Sequence, residues 1–255
     1  MGYTNSPLVS YTKLSPNHSG QRTHAIDRIT PHCVVGQCSV ETLGNIFASK
    51  ARRASCNYGI GADGRIGMYV EEKNRSWCSS SNENDQRAVT IECASDASHP
   101  YAFKDIVYNK LIELCVDICK RNGKTKLLWF GDKNKTLSYK PASNEMVLTV
   151  HRWFANKSCP GDWMYARMGD LAAKVTAKLG GATTTESKKF NPYKVRVSIK
   201  NLNIRKGPGT NYASNGFCPT GVYTIIEESN GVGASKWGKL KGGAGWISLD
   251  YVTKV

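Results

Sequence analysis

The feature that most limits how this chain can fold is the stretch GGATTTESKK at 180–189, where Gly, Thr and Ser replace a periodic apolar pattern and two lysines follow. Such a composition reads as a linker. It divides the 255 residues, more than one domain usually holds, into 1–180 and 190–255, with 181–189 between them. Before the break, THAIDRITPHCVV, SCNYGIGADGRIGMYV and RAVTIECA read as strands, and VETLGNIFAS and FKDIVYNKLIELCVDICKRNG as helices. This alternation predicts an α/β domain with a central mixed sheet flanked by helices. DWMYARMGDLAAKVTAKLG continues the helical spacing and ends on Gly180, a helix stop. After the break come YKVRVSI, LNIR, VYTIIEES, KWGKLK and GWISLDYV, separated by Gly, Pro and Asn. They predict a small all-β module of about 65 residues.

Charge narrows the partners. Lys and Arg outnumber Asp and Glu by 35 to 20, a net +15 spread along the chain; residues 186–255 hold eleven basic and four acidic residues. A polyanion is implied. Wall polymers and nucleic acid both qualify, but no nucleic-acid-binding motif accompanies the charge. No apolar stretch approaches the roughly 18 residues of a membrane span. The start, MGYTNSPLVSYTKLSPNHSG, lacks the basic-then-apolar pattern of a secretory signal. Synthesis in the cytoplasm without an export signal of its own, and no stable membrane association, are the expectations. Met-Gly with Ser6 fits an N-myristoylation pattern that needs a eukaryotic host, and is set aside. Nine cysteines without a signal point to reduced thiols rather than a disulfide framework. Cys115 and Cys119, four apart in a helical pattern, read as small core residues.

The segment TVHRWFANKSCPGDWMY carries the most chemical information. His151 ends a β-branched run, so it belongs at a strand end. Cys159 precedes Pro160 and Gly161, which force a turn. A loop of that length lets both side chains reach one ion, with the Lys157 cation between them suited to a developing oxyanion. A hydrolytic zinc site needs three such ligands and one open position. Taken alone, the pair also fits a surface histidine and an inert cysteine.

H-x5-K-x-C-P-G after a β-branched run resembles the C-terminal zinc motif of the type-2 N-acetylmuramoyl-L-alanine amidases, the zinc amidases related to peptidoglycan-recognition proteins. Three further segments follow in the family's order: ITPHCVVGQ with His32, SCNYGIGADGRIGMYV with Tyr58, and VTIECA with Glu92. The resemblance implies that His32, His151 and Cys159 bind Zn2+. It further implies that Glu92 is the general base, that Lys157 stabilises the oxyanion and that Tyr58 lines the active site. The bond cut would be the amide between N-acetylmuramic acid and L-alanine in bacterial peptidoglycan, the expected partner. Many members carry Trp-His where this chain has Trp77-Cys78; Trp77 is expected as an aromatic wall or a core residue, the core being favoured, and Cys78 is a competing thiol. Cys33 adjoins His32 but points to the other face of a strand. His18, His24 and His99 are expected at the surface, Trp153 and Trp163 in the core.

The LNIR-GPGTNY opening and W-x-K-L…GWISLDYV close of the second part resemble a bacterial SH3-type wall-binding barrel. Arg205, Asn211, Tyr212, Trp237 and Tyr251 are its candidate cell-wall contacts. A linker of about ten residues reaches at most roughly 33 Å, which would keep the catalytic part near its bond once the barrel is bound. The combined expectation is a monomeric phage or prophage endolysin of a Gram-positive host, reaching the wall through a membrane pore made by another protein. A bacterial autolysin or a non-catalytic peptidoglycan-binding protein are the alternatives.

Overall fold

A computed structural model of the chain describes residues 2–180 and 190–255, so the expected linker at 181–189 lies outside the described residues. The chain divides into two compact units, Met1–Thr183 and Thr184–Val255.

The first unit contains strands β1 (Tyr11–Thr12), β2 (His18–Gln21), β3 (Arg28–Cys33), β4 (Tyr58–Ile60), β5 (Ile66–Met68), β6 (Asn74–Ser76), β7 (Ala88–Cys93), β8 (Lys126–Leu128) and β9 (Glu145–Leu148). Its helices are α1 (Val40–Phe47), α2 (Asn82–Arg87), α3 (Asp105–Arg121), α4 (Lys133–Ser138), α5 (Asp162–Tyr165) and α6 (Met168–Lys178). Seven strands form one sheet in the order β1-β5-β4-β7-β3-β9-β8. Only β4 and β5 pair antiparallel in it; the other neighbours are parallel, so the sheet is mixed as the alternation predicts.

The register gives the two faces different jobs. In β3 and β7, Thr30 is opposite Thr90 and His32 opposite Glu92. Because side chains alternate along a strand, Ile29, Val89, Ile91 and Cys93 take the other face, whereas Cys33, at the end of β3 and expected on that face too, lines the site cavity beside Cys159. The four join Val107, Leu111, Leu114, Cys115, Ile118 and Cys119 of α3 in one apolar core. Helix α3 presents that stripe at i, i+3/i+4 spacing. Asp105 in its first turn and Lys120 and Arg121 in its last complement the helix dipole. The second face is polar near its centre: Thr30 and Thr149 hydroxyls meet at 2.7 Å, and the Asn84 side chain bonds both. Farther along that face, α1 packs Leu43 and Phe47 against Tyr69. Its first turn is capped by Ser39, whose Oγ accepts from the Thr42 N–H.

This packing leaves no room at Gly59, where a Cβ would lie 2.7 Å from Leu43 Cδ1 and 2.8 Å from Tyr69 Cε2. Gly59→Ala should cost ~1–3 kcal/mol through overpacking. Gly36→Ala, whose Cβ meets only Cys38 Sγ at 3.5 Å, should stay within ~0.5 kcal/mol. Denaturant unfolding of both variants checks this, and equal losses would contradict the packing.

On the α3 side, Tyr58 donates to Glu72 Oε1 at 2.8 Å and accepts the Ser6 N–H at 2.8 Å. Arg121 pairs with the Glu72 carboxylate, which is 1% exposed. Arg22 threads the same region, donating to the Glu72 carbonyl at 2.6 Å and to Asn57 Oδ1 at 2.9 Å. Burial lowers the Arg22 pKa to about 10.

The second unit is antiparallel: β10 (Tyr193–Val197), β11 (Asn203–Arg205), β12 (Ser214–Phe217), β13 (Gly221–Gly231), β14 (Ala234–Leu240), β15 (Trp246–Ser248) and β16 (Val252–Lys254), ordered β12-β11-β15-β14-β13-β10-β16. Val195, Val197, Leu202, Ile204, Cys218, Ile225, Leu240 and Ile247 fill its core. Among the described residues, no helix is long and apolar enough to cross a membrane.

Candidate metal centre

His32 and Glu92 sit one residue before the carboxyl ends of adjacent parallel strands, the edge at which open α/β sheets build their sites. His32 is 1% exposed, and its Nδ1 lies 4.0 Å from Glu92 Oε1. The chain leaving β9 stays beside β3, since the Thr149 N–H bonds the Ile29 carbonyl at 3.0 Å. It therefore delivers His151, which opens a short 3-10 turn, next to His32; the two rings lie 5.0 Å apart at 60°. The following loop folds back on itself: the Arg152 N–H bonds the Cys159 carbonyl at 3.1 Å. Cys159 Sγ comes to 3.2 Å from His32 Nδ1. Ligand atoms of His32, His151 and Cys159 all lie within 4.8 Å of one another.

Two imidazoles and one thiolate make a donor set that suits zinc, with a fourth position left open. Burial, then the neighbouring His151, holds the His32 pKa well below its ordinary value; burial, then Lys157, lowers that of His151. Both rings are thus neutral near pH 7, the form that ligates. Burial pushes the Cys159 thiol well above its usual range, with Cys33 and Glu92 adding to it; a bound cation reverses that balance and favours the thiolate. His32 Nε2 and Glu92 Oε2 are buried without a hydrogen-bond partner among the described residues. Burial lifts the Glu92 carboxyl to about 7, opposed by Arg52 and by the Cys78 thiol. Cys78 Sγ is 3.9 Å from Glu92 Oε1, so His32, Cys78 and Glu92 form a second trio that shares His32 with the first.

These residues open into a cavity of about 730 Å³ whose wall includes Lys157, exposed in the 151–159 loop. Trp77 lines the same cavity, the aromatic-wall placement rather than the favoured core one; its Nε1 donates to Ser19 Oγ at 2.6 Å, which holds the indole there. Tyr58 is not brought to the site. It lies opposite Ile91, while Gly59 lies opposite Glu92, so its ring takes the α3 face of the sheet and is 0% exposed. Sequence reasoning missed Ser80, whose Oγ is 3.0 Å from His151 Nε2, and the cavity-lining Arg52, Arg53 and Arg75. The serine run after Trp77 was the available signal for Ser80. Asp85 fixes that run by accepting the Cys78 and Ser79 N–H groups.

His18, His24 and His99 stay out of both trios; His99 bonds Asp162 at 2.7 Å on the surface. Trp153 is buried and stacks on Trp129, centroids 5.0 Å apart. Trp163 packs against Phe103 and Tyr108. In the second unit, Arg205, Trp237 and Tyr251 line a cavity of about 320 Å³. Asn211 and Tyr212 are not among its lining residues; the Tyr212 ring packs on Gly207, and its carbonyl accepts from Arg205 Nη1 at 3.0 Å.

The family described as N-acetylmuramoyl-L-alanine amidase matches residues 22–162. No curated protein matches the chain. Among solved structures, the chain is similar to PlyL (15% identity, TM-score 0.45, 65% of this chain and 95% of that one). It is similar also to a selenomethionine derivative of AmpD (18%, 0.47, 68% and 99%) and to the Staphylococcus aureus hydrolase AmiA in complex with its ligand (13%, 0.47, 71% and 89%).

Proposed function

This chain belongs to the N-acetylmuramoyl-L-alanine amidase family and is an enzyme that hydrolyses amide bonds of peptidoglycan, and from that premise we propose that it is a zinc-dependent endolysin cutting between N-acetylmuramic acid and L-alanine. The observation that carries the zinc assignment is the convergence of His32, His151 and Cys159 within 4.8 Å beside Glu92. When bound there, zinc would supply the Lewis acidity that brings the pKa of a water down to about 7. Glu92 takes the proton of the attacking water and returns it to the leaving amine. Lys157 faces the same cavity and offsets charge on the tetrahedral oxygen. Ser80 holds the His151 ring in place through Nε2.

In this reading residues 1–180 are the catalytic domain, 181–189 the linker and 190–255 an SH3-type wall-binding domain. The compact antiparallel core of the second unit supports the last assignment. The phage or prophage origin and the Gram-positive host rest on the pairing of an amidase with such a module.

Incubation with Gram-positive peptidoglycan should release free lactyl groups on muramic acid and new L-alanine amino termini, identified by mass spectrometry. Chelation should abolish both products and added zinc should restore them. His151→Ala should hold less than one zinc per chain and lose the activity with it. New reducing sugar ends, or full activity in a zinc-free protein, would refute the proposal.

A further inference from the structure

The second unit holds a cavity with an unusual polar balance. It lies among β11, β14, β15 and the turns beside them, with a volume of about 320 Å³. Trp237 in β14, opposite Ser248 of β15, is 2% exposed, and its indole Nε1 has no hydrogen-bond partner among the described residues. Arg205 in β11 is fixed by the bond from its Nη1 to the Tyr212 carbonyl, yet its Nε is also buried and unpartnered. Two residues that line one cavity thus each carry a buried N–H without an acceptor among the described residues. Leaving such a donor unpaired costs ~1–3 kcal/mol. No Asp or Glu is among the lining residues, so the cavity itself supplies no anion. Asn203 already accepts from Ser214, and Ser248 from the Asp250 N–H. Apolar surface also borders the cavity: Tyr251 is 59% and Ile199 37% exposed.

We propose that this cavity receives the free terminal carboxylate of a peptide, with Trp237 Nε1 and Arg205 Nε as its donors and Ile199 and Tyr251 against the terminal side chain. A carboxylate supplies the two missing acceptors and the negative charge that a guanidinium prefers. A wall phosphodiester has the same charge but no side chain to cover Ile199 and Tyr251, which favours the peptide. The inference rests on the wall-binding reading of 190–255 and identifies the ligand as a stem peptide with an unblocked end.

The test uses the full 15N-labelled chain, whose six tryptophans each give one indole N–H resonance; Trp237→Phe identifies the relevant one by its loss. The probes are diacetyl-L-Lys-D-Ala-D-Ala, the same peptide as its carboxamide, and glycerol phosphate. None contains the muramyl amide, so the catalytic cavity does not consume them. The acid should move the Trp237 resonance saturably. The carboxamide, and the acid with Arg205→Gln, should each bind about tenfold or more weakly, with the amide spectrum of the variant otherwise retained. Equal binding of acid and carboxamide, movement by glycerol phosphate alone, or no movement at all would overturn the inference. Co-sedimentation with intact peptidoglycan separates the two readings. Protein that sediments while its Trp237 resonance ignores the acid refutes the carboxylate site alone. Protein that does not sediment removes the wall-binding assignment as well.

Discussion

Replacing Glu92 by Gln should lower kcat about 10²–10⁴-fold while zinc content per chain stays at the wild-type level. The amide keeps the shape of the carboxylate and its place 3.9 Å from Cys78 Sγ and 4.0 Å from His32 Nδ1. Only the capacity to accept and return a proton is lost. Burial raises the carboxyl to about 7, and a cation beside it favours the ionised form. A separate loss, with zinc released, is expected of Cys159→Ala, which removes one corner of the trio. Measuring kcat, KM and bound metal for both variants distinguishes a proton carrier from a ligand. A Gln variant that retained most of its rate would take the general-base role away from Glu92. One that lost its zinc would make Glu92 a ligand instead, in the second trio with Cys78.

Arg121→Ala should destabilise the first unit by ~3–5 kcal/mol, because it strands a buried carboxylate. Glu72 is 1% exposed and takes bonds from both Tyr58 and Arg121. Asp117 lies 2.8 Å from Arg121 Nε on the preceding turn of α3 and would lose its partner too. Against a total of about 5–15 kcal/mol for a typical domain, such a loss is a large share. Combining Arg121→Met with Glu72→Gln should recover much of it, since the charge left unpaired by the single change is then absent. Chemical denaturation gives both numbers. A single-variant loss below about 1 kcal/mol, the range of surface pairs, would mean that water reaches Glu72.

The fold was largely legible. Strand-like runs marked β3, β4, β5 and β7, a 3.6-residue stripe marked α3, and the Gly at 180 has the positive φ of +71° expected at a helix stop. The Pro-Gly turn after Cys159 and the β-branched run before His151 mark that pair locally, whereas His32 joins it only through the family resemblance; the three ligand atoms lie within 4.8 Å of one another. Tyr58 was misplaced for a non-local reason. Alternation separates neighbours within β4, but which set shares a face with Glu92 depends on the pairing with β7, and there Gly59 holds that position. Trp77 took the cavity wall over the core because Ser19, 58 residues earlier, offers its indole a hydrogen bond. Arg52 and Arg53 come from one segment and Arg75 from another, and their shared cavity has no signature in a linear pattern. In the second unit Arg205 and Trp237 meet through β15, which lies between their strands. Asn211 and Tyr212, close to Arg205 in sequence, belong to the turn instead.

The pairing of His32 with Glu92 also bears on how descendants of this chain can diverge. Inserting or deleting one residue within β3 or β7 would shift the alternation and bring Pro31 or Cys33, or Ile91 or Cys93, to the place of the imidazole or the carboxylate. Length changes in these two strands should therefore be the least tolerated, and exchanges among apolar types toward α3 the better tolerated. His151 and Cys159 reach the site from a turn and a loop, where a change in spacing can be absorbed by rerouting the backbone. A lineage of such enzymes should accumulate its insertions on that side of the centre and keep the strand-borne half in constant step.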